Sequence, residues 1–189
     1  MKLVFATHNH NKFAEVKAML PPHIELLGLT DIGCNEDIEE TAETIEGNAI
    51  LKAEYVYKKY NVACFADDTG LEVMVLNNEP GVFSARYAGE ENNSQANIEK
   101  LLTTLGDEEM RDARFKTAIA LAGNSEKLFL GICEGVITKE QRGDSGFGYD
   151  PIFQPKGFDK TFSEMTLEQK SEIGHRGKAM RQLVAYLTK

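Results

Sequence analysis

An apolar run over residues 2–6, followed at once by the polar stretch Thr7-His8-Asn9-His10-Asn11, constrains the fold of this chain more than any other feature. A short apolar run bounded by polar residues reads as a buried strand, and Phe13, Val16, Met19 and Leu20 then set up a helical stripe. Asn9 or Asn11 can cap that helix, Pro21-Pro22 ends it, and residues 24–29 read as a second strand. Strand, helix and strand with short connections make a βαβ unit. Its first loop lies at a strand's carboxyl end, where open α/β sheets bind ligands.

The rest of the chain extends this pattern. The acidic run Glu36-Asp37-Ile38-Glu39-Glu40 leads into a helix predicted over 44–60, whose Ala49, Ala53, Val56, Tyr57 and Tyr60 share one face. Residues 62–66 read as a strand that stops at Asp67-Asp68. Residues 71–75 alternate weakly, Asn77-Asn78 and Pro80-Gly81 read as turns, and 93–105 as a helix. Strand-like runs over 114–122 and 127–138 flank Gly123-Asn124-Ser125, which predicts a long antiparallel hairpin. A helix over 176–187 closes the chain, with Ala179, Leu183, Tyr186 and Leu187 as its stripe. No repeat, low-complexity tract or linker intervenes. The expectation is one domain over residues 1–189, a mixed sheet with covering helices and a hairpin-rich lobe.

Composition narrows the class. With 189 residues, 42% hydrophobic and 27% charged, the chain can bury a full core, and no apolar stretch reaches the roughly 18 residues of a membrane span. The amino terminus runs into the first strand with too short an apolar region for a secretory signal, so a cytoplasmic location is expected. Cys34, Cys64 and Cys133 match neither a disulfide framework nor a C-x₂-C metal site, and read as free thiols of a reducing compartment. A net charge of -9 argues against a nucleic-acid binder. It leaves room for an anionic small molecule, because a few cations converging in one place reverse the local potential.

Chemistry enters at Asp67-Asp68. Adjacent carboxylates at the end of a strand are hard-cation ligands, and Mg²⁺ is usually held by one or two of them together with substrate phosphates. The competing reading is an Asx-turn or helix cap, with either aspartate bonding local backbone amides.

Four further segments decide between them. In chain order the set is Thr7-His8-Asn9-His10-Asn11-Lys12, Ala66-Asp67-Asp68-Thr69-Gly70-Leu71-Glu72-Val73, Pro80-Gly81-Val82-Phe83-Ser84-Ala85-Arg86-Tyr87-Ala88-Gly89, Gly146-Phe147-Gly148-Tyr149-Asp150-Pro151-Ile152-Phe153, and Lys170-Ser171-Glu172-Ile173-Gly174-His175-Arg176-Gly177-Lys178-Ala179. In this order and spacing they resemble the non-canonical purine nucleoside triphosphate pyrophosphatases, the inosine/xanthosine triphosphate pyrophosphatase family, over essentially the whole chain. The resemblance implies an elongated α/β mixed-sheet fold with two lobes and a substrate cleft between them. It also implies a homodimer that uses Mg²⁺ to hydrolyse ITP, dITP and XTP to the monophosphate and pyrophosphate. The chain departs from the family pattern where His8 replaces a common glycine, Thr69 a common serine, and Gly174 a common serine.

Roles follow from what the reaction demands: a neutralised triphosphate, a positioned metal and an aligned water. Lys12, just inside the first helix, can reach phosphate oxygens while the helix amino terminus offers N–H groups. Thr7 and Asn9 add hydrogen bonds, and His8, His10 and Asn11 belong to the same substrate loop. By resemblance Asp68 is both metal ligand and the base that orients water, with Asp67 supporting it. A second metal carboxylate comes from Glu39 or Glu40; Glu39 aligns best, and on extended chain the two point to opposite sides. Lys170, His175 and Arg176 form a second basic cluster, where a guanidinium fork suits phosphate or a carbonyl edge. Thr69, Phe147, Gly148, Tyr149 and Asp150 are expected to recognise the base, with either aromatic ring stacking on the purine or serving as core. Arg86 organises its loop or a dimer interface. A silent nucleotide-binding module would lack the carboxylates present here, and a two-carboxylate glycosidase leaves Lys12, Lys170 and Arg176 without a purpose.

Overall fold

Local chemistry sets most element boundaries. In the computed structural model, which describes residues 1–89, 92–123 and 126–189, strand β1 covers Lys2–Phe5 and helix α1 covers His10–Met19. Asn9 caps α1 by accepting from the Lys12 N–H at 3.0 Å. Leu20 is extended, as a residue before proline must be, and the helix stops there. Strand β2 is Glu25–Leu27. Helix α2, Ile45–Tyr60, is capped by the Thr44 side chain and closed by Asn61 in the left-handed conformation.

Strand β3 departs from expectation. It runs Cys64–Val73, straight through both aspartates, rather than stopping before them. An extended backbone sends successive side chains to opposite faces, so the adjacent carboxylates meet different cations instead of each other or a local turn. The cap and Asx-turn alternatives do not hold. Pro80-Gly81 opens the expected turn, with the Phe83 N–H donating to the Pro80 carbonyl at 2.9 Å, although both residues also pair as strand. Asn77 and Asn78, both left-handed, reverse the chain and bring β4, Glu79–Gly81, back antiparallel onto β3 with Leu71 opposite Gly81.

Helix α3 is Ser94–Leu105, capped by Asn93, and the long strands β5 and β6 are Asp112–Ala122 and Lys127–Ile137. Asn124 and Ser125, the middle of the expected hairpin turn, lie outside the described residues. A short strand β7, Phe153–Pro155, and helix α4, Leu167–Ile173, were not expected from sequence; Thr166 and Gln169 form a reciprocal cap on α4. Helix α5, His175–Leu187, closes the chain.

The fold is mixed α/β. The strands form one sheet in the order β2-β1-β3-β5-β6-β7, with β4 paired to β3 off this path. β1 is parallel to both β2 and β3, as a βαβ opening requires. The chain divides into two compact units: Met1–Asp68, Thr117–Gly131 and Arg176–Lys189 form the first, and Thr69–Lys116 with Ile132–His175 the second. The core of the first centres on Phe5 and Phe65, partners across the parallel β1–β3 ladder with rings stacked at 4.6 Å. The second is built on Phe115, Phe153 and Phe162, with Leu71 and Val73 of β3 and Ile98 and Leu101 of α3. Among the described residues no helix is long and apolar enough to cross a membrane.

Candidate active site

In the first unit the loop between β1 and α1 is ordered by its own side chains. Thr7 Oγ1 accepts from the Asn9 N–H at 3.1 Å, and Asn9 caps α1. His8, His10 and Asn11 are exposed along this loop and first turn. Lys12 emerges beside Asp67, with Nζ 3.0 Å from Oδ1. The other oxygen of Asp67 accepts from Arg176 Nε at 2.9 Å, and Arg176 Nη1 donates to Glu15 Oε2 at 2.5 Å. Asp67 and Arg176 are 1% and 3% exposed, so this is charge held inside protein. Burial alone would raise the Asp67 pKa, but Lys12, Arg176 and Lys52 outweigh it and hold the carboxyl below the usual aspartate range.

Asp68 faces other partners. Its Oδ1 lies 3.8 Å from Lys52 Nζ, and the same ammonium donates to Glu40 Oε1. Burial raises the Asp68 pKa, and the charges of Glu40 and Asp67 push the same way against Lys52 and Lys12. Burial would lower Lys52, yet Asp68, Glu40 and Asp67 reverse that and keep it firmly protonated. Glu39 is exposed while Glu40 is half-buried, so the structure brings Glu40 to Asp68 and leaves Glu39 facing outward. Two carboxylates therefore converge on one cation, and all the oxygens are hard donors. That set fits Mg²⁺, which takes one or two carboxylates and completes its shell with water and phosphate. Among the described residues no cluster of three or more His, Cys, Asp or Glu suits a metal.

The second unit collects the remaining candidates around Asp150. Its Oδ2 accepts from the Phe147 N–H at 2.9 Å and from Lys170 Nζ at 2.7 Å. The loop closes tightly: a Cβ on Gly146 would meet Asp150 Oδ2 at 2.2 Å. Gly148 takes a φ of +61°, open to glycine at no cost. Lys170 Nζ lies 4.9 Å from the centre of the half-buried Phe147 ring and 5.5 Å from that of Phe162. Tyr149 is buried, with its hydroxyl donating to the Ser84 carbonyl at 2.8 Å. Of the two rings left open between stacking and core, Tyr149 is core. His175 begins α5 with its ring 4.6 Å from that of Phe115, and it too is buried. At Gly174, where the chain departs from the family pattern, a Cβ would meet the Lys170 carbonyl at 2.5 Å. Thr69 is half-buried in β3.

Two residues of the site were not anticipated. Lys52 sits on the buried face of α2 among Ala49, Ala53 and Val56; a lysine inside an alanine stripe is the signal that marks it. Glu15 follows Lys12 by one turn of α1 and is 8% exposed, an acid beside the apolar stripe that needs a buried cation.

Comparison with known proteins follows the same outline. A sequence profile of the Ham1 family matches residues 3–186. The dITP/XTP pyrophosphatase of Christiangramia forsetii is 62% identical over 191 residues, covering 100% of both chains. That of Bacillus subtilis is 48% identical over 185 residues, covering 95% of this chain and 93% of its own. Among solved structures, the Ham1 protein of Staphylococcus aureus superimposes with a TM-score of 0.90 at 43% identity, covering 100% of this chain and 98% of that one. The nucleoside-triphosphatase / dITP/XTP pyrophosphatase of Mycobacterium abscessus gives 0.79 at 41%, covering 97% and 99%.

Proposed function

Because the chain belongs to the Ham1 family, we propose that it is a nucleoside triphosphate pyrophosphatase that hydrolyses dITP, XTP and ITP to the monophosphate and pyrophosphate, with Mg²⁺. The observation that carries the reading is the convergence of Asp68 and Glu40 on the buried Lys52 ammonium. It is supported by relatives named dITP/XTP pyrophosphatase over nearly their whole lengths. The family profile spans almost the entire chain, which supports one catalytic domain over residues 1–189.

Asp68 and Glu40 would hold Mg²⁺. When bound, the ion supplies charge neutralisation of the phosphate oxygens. Asp68 orients a water on the α-phosphorus and takes its proton; the new bond forms from water oxygen to phosphorus, and the bond to the bridging oxygen breaks, so the electron pair leaves on pyrophosphate. Lys12 and Lys52 supply positive charge to the triphosphate, and Asp67, locked between Lys12 and Arg176, keeps Lys12 in place. Phe147 stacks on the base. A donor from His175 meets the 6-oxygen, so that adenine, with an amine there, leaves it unpaired, while Arg176 Nε and Nη1 stay on Asp67 and Glu15. The same reading makes the protein a cytoplasmic homodimer, the dimer being checked by sedimentation equilibrium.

Steady-state hydrolysis of dITP, XTP, ITP, ATP and GTP, with pyrophosphate and orthophosphate recorded separately, tests the proposal. Pyrophosphate released chiefly from dITP, XTP and ITP, and lost on chelation of Mg²⁺, is the expected result. Orthophosphate as product, or nucleotide binding without turnover, overturns it.

A further inference from the structure

The first unit holds a second polar knot, gathered on Glu36, which the catalytic reading does not use. Its Oε1 accepts from Tyr55 OH at 3.0 Å, Lys59 Nζ at 2.7 Å and Tyr60 OH at 2.8 Å, all on the carboxyl half of α2. The Lys59 ammonium lies 5.4 Å from the Tyr55 ring centre and 5.7 Å from that of Tyr60, so cation and rings order one another. Glu36 also acts through its backbone: its carbonyl oxygen lies 3.0 Å from His8 Nε2. A carbonyl can only accept, so that nitrogen carries the proton.

These contacts join three pieces of chain that the reaction needs in register. Glu36 and Glu40 grip one helix at two places, Glu36 on Tyr55, Lys59 and Tyr60, and Glu40 on Lys52. The stretch between them is thereby laid along α2, which delivers the Glu40 carboxylate to the ammonium shared with Asp68. At its other end the His8 bond ties in the loop that leads to Lys12. A glycine at position 8 could make no such bond, so this chain has a tether where the family pattern commonly has none.

We propose that Glu36 is a positioning residue that sets Glu40 for the divalent cation and, through His8, sets the loop that carries Lys12 for the triphosphate. The proposal rests on the pyrophosphatase reading above for its substrate, but its first readout does not. Mn²⁺ binding to the nucleotide-free protein, followed by calorimetry, is expected to weaken about tenfold in Glu36→Ala, the range seen when groups that orient a metal ligand are removed. In turnover the same variant raises the Mg²⁺ needed for half-maximal rate and the KM for dITP, while kcat at saturating Mg²⁺ changes less. Glu36→Gln keeps an oxygen for the two tyrosine hydroxyls and recovers part of the loss. His8→Gly raises KM and leaves Mn²⁺ affinity unchanged. Unaltered Mn²⁺ affinity in Glu36→Ala, or a loss of kcat alone that follows a lowered thermal midpoint, overturns the proposal. Should the wild-type protein release no pyrophosphate from dITP, the functional reading fails, and the Mn²⁺ titration still decides the placement of Glu40 by Glu36.

Discussion

Buried charge is handled differently in the two compact units. In the first, Asp67 is met by both Lys12 and Arg176, Arg176 by a second carboxylate from Glu15, and Lys52 by Asp68 and Glu40. In the second, the ammonium of Lys170 meets Asp150 and lies over the rings of Phe147 and Phe162 in a setting dominated by aromatic packing. Ions taken out of water cost several kcal/mol each and persist only when paired and bonded, so an ionic network whose Asp67, Arg176, Asp68, Lys52 and Glu15 are only 1–8% exposed is a poor way to gain stability. Under the proposed function, such a network would serve a charged ligand rather than stability. The aromatic arrangement is suited to a flat, uncharged ring. Under the proposed function the comparison frames a division of labour: the metal, the water and the phosphates fall to the first unit, and stacking of the base to the second.

Substitutions can break that division. Asp68→Asn should lower kcat by about 10²–10⁴-fold, the share typical of a positioned base, with the thermal midpoint nearly unchanged. Near-normal turnover of this variant would remove Asp68 from the chemistry.

Arg176→Ala leaves two buried carboxylates without their shared cation, and should cost about 3–5 kcal/mol in urea unfolding. A variant that kept its stability and lost only its preference for dITP over dATP would move Arg176 from holding Asp67 to reading the base. The same network is acid-labile. The Asp67 pKa is depressed in the folded state, so its contribution is complete above the unfolded value of about 3.9 and is lost as pH falls through the folded one. The stability difference between wild type and Asp67→Asn should therefore be flat from neutral pH down to about 5 and shrink below about 4.

In the second unit, Phe147→Ala should cost about 1–3 kcal/mol of substrate binding, read as a raised KM for dITP with kcat altered less. An equal loss of kcat would blur the division. The smallest effect expected is that of Tyr149→Phe, about 1 kcal/mol of stability from the hydrogen bond to the Ser84 carbonyl, with kinetics unaltered.

Much of the fold was legible because it follows from local chemistry. Thr44, Asn93 and Asn9 cap the helices predicted after them, and Pro21 ends α1. Strand β3 was cut short because two aspartates look like punctuation; they are strand residues here because cations wait on both faces, which no local pattern announces. Helix α4 was missed although Thr166 and Gln169 carry a capping signal, since seven residues offer too little periodicity to stand out. At the candidate site, Lys12 and Asp68 stand in the recognised motifs, whereas Lys52 and Glu15 were not singled out. Glu39 was favoured over its neighbour, whereas Glu40 is the one that turns toward Asp68.

The sequence by itself determined the order of strands and helices, the family, and the residue types gathered in five ordered segments. That β3 runs on through Asp67 and Asp68, and so sends their side chains to opposite faces, came from the structure. Only the tertiary structure decided which cation each would meet. Lys12 reaches Asp67 across 55 residues of chain, and Arg176 reaches Asp67 across 109 and Glu15 across 161. Those pairings depend on distance through a desolvated interior, a quantity that spacing along the chain does not contain.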